Sequence, residues 1–145
     1  MSSQMTFPAA LNRLSTLAAW LAETLASLPL SDEWRYAFDL AACETATNII
    51  RHALHEDAHR TFSVECLVTG QSVMLRFTDS GDALASERLA AARRAAFSDD
   101  GLLSESGRGL MLILLYVDTF NVVASKGINV TTLEKFFSSP PGTGS

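Results

Sequence analysis

Three groups of residues in this sequence have types and spacings that could do chemistry. The first is Glu44, Asn48 and His52, at i, i+4 and i+8 in a stretch of helical periodicity. A helix stacks positions four apart on one face. A carboxylate and an amide oxygen one turn apart, set among alanines and isoleucines, suit a hard cation, with the amide as ligand and the carboxylate as base or water-positioner. A polar stripe satisfied by neighbouring backbone has the same pattern. The second group is Asp79-Ser80-Gly81-Asp82-Ala83, directly after the strand-like run Ser72–Thr78. An acidic residue at a strand end followed by glycine lets the backbone turn tightly and approach a flat ligand, and its carboxylate can accept a hydrogen bond from a purine's exocyclic amine. Taken alone, Asp-Ser-Gly reads as a surface turn. The third is Gly107-Arg108-Gly109-Leu110-Met111-Leu112-Ile113, a glycine pair opening an apolar helix. Such a helix start offers free N–H groups and a positive dipole end to phosphate oxygens. Arg108 either adds a charge-assisted donor or points to solvent. The segment is not a Walker loop, because Gly-Lys-Ser/Thr is missing. Nor is it a dinucleotide fingerprint, because no strand precedes it directly and the third glycine is absent.

The elements that must position these groups follow from periodicity. Residues 1–7 read as loose. Leu11, Leu14, Ala18, Leu21, Leu25 and Leu28 recur at spacings of three and four, which predicts a helix from Pro8 to about Leu28, ended by Pro29. Its stripe suits core packing better than a dimer seam, since two and a half heptads are few for a coiled coil. Ser31 or Asp32 caps a second helix running to about Leu54 and carrying Glu44, Asn48 and His52. Two alternating runs, Thr61–Val68 and Ser72–Thr78, predict strands with one buried face. Residues 82–106 hold a short Ala/Arg-rich helical stretch, Ala83–Phe97, and then a Gly/Ser-rich excursion with the look of a lid. A compact helix Leu110–Val117 and two strands, about Thr119–Ala124 and Ile128–Phe136, close the domain. The order α-α-β-β-lid-α-β-β predicts a mixed, mostly antiparallel sheet with helices on one face. Residues 1–137 make one domain, and the Pro/Gly-rich tail 138–145 reads as disordered.

Composition narrows the function. A chain of 145 residues with 48% apolar and 19% charged residues suits one globular domain. A net charge of −5 argues against a dedicated nucleic-acid binder. Leu110–Val117 is far too short to span a bilayer and the N-terminus has no signal-peptide pattern, so the chain reads as soluble and cytoplasmic, with no membrane partner. Cys43 and Cys66 read as reduced core residues. His52, His55 and His59 lack a thiolate or other ligand spaced to complete a zinc site.

Taken together, Glu44-x-x-x-Asn48-x-x-x-His52, Asp79-x-Gly81 and Gly107-x-Gly109-Leu110-x-Leu112-Ile113 resemble, in order and spacing, the N, G1 and G2 boxes of the GHKL (Bergerat-fold) ATPases. The short chain and the wording of the boxes look most like the anti-sigma-factor serine kinases, the RsbW-like branch, over roughly residues 8–137. The resemblance implies an α/β (α+β) two-layer sandwich binding ATP and Mg²⁺ between helices and sheet. It implies Asn48 as the Mg²⁺ ligand, Asp79 at the adenine amine and Gly81 beside the base. Gly107 and Gly109 would meet the phosphates, Arg108 and Leu110 would belong to the same cofactor-binding segment, and Glu44 would act as base toward a serine of an antagonist. The partners it implies are an anti-anti-sigma (STAS-domain) protein, a sigma factor or other regulated protein, and a second copy in a homodimer. Ala83 replaces a frequent second G1 glycine, and the usual Gly-Thr of the last strand is blurred as Gly127-Ile128-Asn129, so no water-holding threonine is assigned. A sensor histidine kinase needs a phosphoacceptor histidine on a preceding hairpin, and residues 1–51 contain none. The alternative is a catalytically silent ATP-binding module that sequesters a partner.

Overall fold

Ser31 begins the helix that organises the site. Its hydroxyl accepts from the Trp34 N–H at 3.0 Å, and Asp32 and Glu33 complement the helix dipole in the first turn of α2, Asp32–Asn48. The preceding helix α1, Leu14–Thr24, has its end and the loop beyond it held from α2: Arg35 donates to the carbonyls of Leu25, Leu28 and Leu30 at 3.0, 2.6 and 3.3 Å. One guanidinium thus ties three carbonyls of the helix end and its loop to α2, two of which, Leu25 and Leu28, also accept backbone N–H bonds from Leu28 and Leu30. Leu17, Leu21 and Leu25 of this segment are buried in the core beside Phe38, Ala41 and Ala42 of α2, so the leucine stripe serves core packing.

The computed structural model describes residues 2–96 and 105–137; of residues 96 and 105–107 only the backbone is described. Ser98-Asp99-Asp100-Gly101 of the expected lid and the expected tail 138–145 lie outside them. The strands are β1 Ser2–Pro8, β2 Thr61–Val68, β3 Ser72–Asp79, β4 Thr119–Ser125 and β5 Ile128–Phe136, and two further helices are α3 Ser86–Ala96 and α4 Glu105–Tyr116. The sheet runs β1-β2-β3-β5-β4 and every neighbouring pair is antiparallel. Among the described residues four helices and a five-stranded antiparallel sheet make an α+β fold, as the sequence led us to expect, although the sheet is not mixed.

Several boundaries differ from the sequence reading, among them the end of α1 at Thr24 rather than about Leu28 and the start of α3 at Ser86 rather than Ala83. Residues 2–8 are a strand, not loose: they pair with β2 from Ser2↔Leu67 to Pro8↔Thr61. Only Phe7 of β1 is buried, so the strand is held by main-chain bonding and leaves almost no alternation to read. The helix expected from Pro8 therefore starts later, at Leu14, after a tight turn Leu11–Arg13. The helix expected from Leu110 starts at Glu105, so the glycine pair lies within its first turns rather than ahead of them. After Asn48, α2 widens over Ile49–Ala53: Leu54 N–H reaches Ile49 O at 2.9 Å and Glu56 N–H reaches Ile50 O at 2.7 Å.

The β4–β5 hairpin closes on Lys126-Gly127, both at positive φ (53° and 78°), the two-residue turn whose twist matches antiparallel strands. The two-residue period then decides what faces the helices. On β3, Val73, Leu75, Phe77 and Asp79 are buried, and on β5, Asn129, Thr131 and Leu133. In register these pair as Leu75↔Leu133, Phe77↔Thr131 and Asp79↔Asn129. The covered face of the sheet therefore changes from hydrocarbon to polar along two adjacent strands.

Candidate functional site

The polar end of that face is the floor of a cavity of about 290 Å³. Asp79, 4% exposed, and Asn129 lie at its base. Asn48 and His52 reach it from α2 and the turn beyond, Leu84 from the segment leading into α3, Arg88 from the first turn of α3, and Leu110 and Ile113 from α4. A mostly apolar slot with a few convergent polar groups is the usual form of a small-molecule site.

Asp79 is held by its neighbours. Its Oδ1 accepts from the Gly81 N–H at 2.8 Å and from Asn129 Nδ2 at 2.9 Å. The same Asn129 amide donates to the carbonyls of Gly81 at 3.0 Å and Asp82 at 3.3 Å. Both described hydrogen bonds go to Oδ1, which leaves Oδ2 as the acceptor for a ligand. Gly81 is the residue that lets this loop sit close to the end of the α2 segment: a Cβ there would lie 2.5 Å from the Ala53 carbonyl carbon and 2.9 Å from Ala53 Cβ. Asp82 N–H bonds Ala53 O at 3.0 Å across the same contact. At the exposed rim, His55 Nε2 pairs with Asp82 Oδ2 at 2.7 Å.

A second cluster lies where α2 meets α4. Glu44 is half-buried, and a Cβ on Gly109 would stand 2.9 Å from Glu44 Oε2 and 3.9 Å from Asn48 Oδ1. Glycine at this point of α4 thus gives the Glu44 carboxylate and the Asn48 amide oxygen room beside the helix. Asn48 Nδ2 is buried and has no hydrogen-bond partner among the described residues. An orphaned buried amide is costly and calls for a partner that the described residues do not supply.

Of the residues singled out from sequence, Asn48, His52, Asp79, Asp82, Ala83, Leu110 and Ile113 line this cavity. Gly81 backs the Asp79 loop, and Glu44 and Gly109 meet beside the cavity rather than in its lining. Gly107 falls in the first turn of α4, where N–H groups lack helical partners, and Gly109 lies beyond it, in the bonded part of the helix. Arg108 is exposed and outside the cavity lining. Sequence reading missed Asn129, Thr131 and Arg88. The first two were legible, since the β5 alternation that buries Leu133 also turns Thr131 and Asn129 inward; Arg88 carried no signal that separates it from its solvated neighbours.

Partial burial, and then the positive charges of Arg88, Arg51 and His55, hold the His52 ring below the usual histidine range. Burial pushes the Cys43 and Cys66 thiols up to about 11, with Asp39 and Glu44 adding to the effect at Cys43, so neither is a nucleophile at neutral pH. No group of three or more His, Cys, Asp or Glu side chains that could hold a metal occurs among the described residues. Among them, too, no helix is long and apolar enough to cross a membrane.

The helices and the antiparallel sheet thus enclose a cavity floored by a buried carboxylate. The family model of the histidine kinase-like ATPase domain matches residues 7–135, and the chain belongs to that family. No curated protein matches the sequence. Among solved structures the fold is similar to the RsbU and RsbW domains of Rv1364c from Mycobacterium tuberculosis, with a TM-score of 0.68 and 19% identity over 97% of this chain and 33% of that one. It is also similar to the SiaB-SiaC complex from Pseudomonas aeruginosa, with a TM-score of 0.60 and 11% identity over 93% of this chain and 89% of that one. The Acinetobacter baumannii histidine kinase AdeS follows at 0.50 and 14%, over 94% and 68%. This chain spans about a third of the Rv1364c chain it matches, and at these identities the likeness is one of fold.

Proposed function

We propose that this domain is an ATP-dependent serine protein kinase and anti-sigma-type regulator in a partner-switching system, acting on an anti-anti-sigma (STAS-domain) antagonist. The observation that carries the reading is the convergence of Asp79 and Asn48, whose Nδ2 is buried without a partner among the described residues, on one cavity, with Glu44 one helix turn from Asn48. Asp79 Oδ2 accepts from the adenine amine, with Gly81 letting the backbone pass close to the base. Gly107 and Gly109 attend the phosphates, with Leu110 lining the cavity beside them and Arg108 on the same helix turn. Glu44 takes the proton of the substrate serine as its oxygen attacks the γ-phosphorus and the bond to the β–γ bridging oxygen breaks, releasing ADP. Phosphoryl transfer depends on positioning and charge neutralisation, so this small set suffices.

The donor set fits Mg²⁺ of a particular kind. With no cluster of three acidic or histidine ligands among the described residues, the ion would be held by Asn48 Oδ1, phosphate oxygens and water, which is how Mg²⁺ is commonly bound in such sites. When bound it supplies charge neutralisation at the phosphates. The names of two similar structures, an RsbW domain and a SiaB-SiaC complex, support a protein antagonist as the partner. A sigma factor or other regulated protein as the second target, a homodimer and a cytoplasmic setting complete the proposal; since the α1 stripe is engaged in the core, a dimer would use another surface.

The alternative is a catalytically silent ATP-binding module. It is favoured by the packing of Glu44 against Gly109 within the hydrogen-bonded part of α4, away from the cavity lining. Transfer of γ-labelled phosphate from ATP to an antagonist serine separates the two. Label on serine, lost in Glu44→Ala while ATP still binds, supports the kinase. ATP binding by the wild type without transfer to any STAS partner supports the module.

A further inference from the structure

Arg88, in the first turn of α3, lines the same cavity as Asn48, His52 and Asp79. Its Nη2 is buried and has no hydrogen-bond partner among the described residues. A guanidinium cannot discharge itself by losing a proton, so a buried N–H of this kind is satisfied only by an acceptor. Neither carboxylate of the cavity lining bonds it among the described residues. Asp82 is paired with His55 at the exposed rim, and Asp79 Oδ1 is occupied by Gly81 and Asn129. His52 feels the Arg88 charge, which helps hold its ring neutral, so it offers no counter-charge.

Charge balance says what the missing acceptor is. Two carboxylates, Asp79 and Asp82, line the cavity, and Arg88 is its sole lysine or arginine among the described residues. A ligand bearing phosphates is repelled by the first two and attracted by the third. We propose that Arg88 is the anion-binding arm of this cavity, donating through Nη2 to a phosphate oxygen of a bound nucleoside di- or triphosphate and so tying α3 to the ligand. The proposal rests on the cavity being the nucleotide site, and it assigns a residue to which no motif drew attention.

The test compares ADP with adenosine, each competing against a fluorescent ATP analogue, on wild type, Arg88→Met and Arg88→Lys at one ionic strength. A charge-assisted hydrogen bond lost corresponds to about ten- to a hundred-fold in affinity. Arg88→Met is expected to weaken ADP by that factor with adenosine unchanged, and Arg88→Lys to recover part of it. A loss shared equally by ADP and adenosine overturns the proposal, because Arg88 would then act on the base, the ribose or the fold. Thermal denaturation of the free protein is the second readout: removing an unsatisfied buried donor should leave the midpoint unchanged or raise it, and a fall of several degrees would assign Arg88 to the structure instead. A wild type that binds neither ADP nor ATP refutes the nucleotide reading itself, an outcome distinct from both.

Discussion

Asp79→Asn changes one atom in the floor of the cavity and leaves its shape intact. Two donors, Gly81 N–H and Asn129 Nδ2, point at Oδ1 from 2.8 and 2.9 Å. The new amide must keep its oxygen there, because the flipped rotamer would set an NH₂ against both donors. Its NH₂ then takes the place of Oδ2 and presents a donor to a ligand that itself donates. The lost charge-assisted bond and the donor facing a donor together cost about 2–4 kcal/mol of binding, or roughly thirty- to a thousand-fold in Kd. The fold should suffer less. Two charge-assisted bonds become neutral ones, at about 1–2 kcal/mol in all, a fall of roughly 2–8 °C in Tm for a chain of this size. Isothermal titration with ADP and a thermal melt of the free variant measure both quantities. Unchanged ADP affinity in a folded variant would refute Asp79 as the base contact, and a collapse of the fold would show that its role is structural.

Gly109→Ala puts a methyl group at 2.9 Å from Glu44 Oε2, the movable end of a side chain, while improving helix propensity by about 1 kcal/mol. Stability by denaturant melt should hold or rise while phosphoryl transfer falls about tenfold or more; undiminished transfer would show that Glu44 does not need its present position. Asn129→Ala removes the amide that ties Asp79 to the Gly81 and Asp82 carbonyls, so about 2–4 kcal/mol of stability should go and amide exchange should quicken at residues 80–83. Because His52 titrates below its ordinary value near 6.5, the unfolded chain binds the extra proton first as pH falls. The penalty is absent above about pH 6.5 and grows as pH falls to the lowered value, so chemical denaturation between these limits should show stability rising with pH, and His52→Gln should flatten that slope. Arg88→Met should also move the His52 resonance titration upward, since one of the charges that depress it is gone.

The sequence disclosed those parts of the site that alternate or recur. Asp79 could be placed because it is an acidic residue at a strand end followed by Gly81, and Asn48 because it stands one turn from Glu44. Asn129 is turned inward by the alternation of β5, but its partner lies fifty residues away and only the pairing of β3 with β5 joins them. Strand β1 escaped because its bonds are main-chain and its side chains face mostly outward. The early start of α4 at Glu105 was hidden by Gly107 and Gly109, which read as a helix entrance when local preference alone is considered. Arg88 looks like any solvated arginine until α3 is seen against the cavity.

The place of β5 between β3 and β4 sets the order in which a nascent chain can become competent. At about 5–20 residues per second, Asn129 is synthesised roughly 3–10 s after Asp79. During that interval the carboxylate has no amide to hold it, and β3 presents an open edge on the side that β5 will occupy. Ligand capture therefore waits on the C-terminal hairpin. A ribosome-stalled chain ending before it should retain no nucleotide, however well α2 and the β2–β3 hairpin have formed.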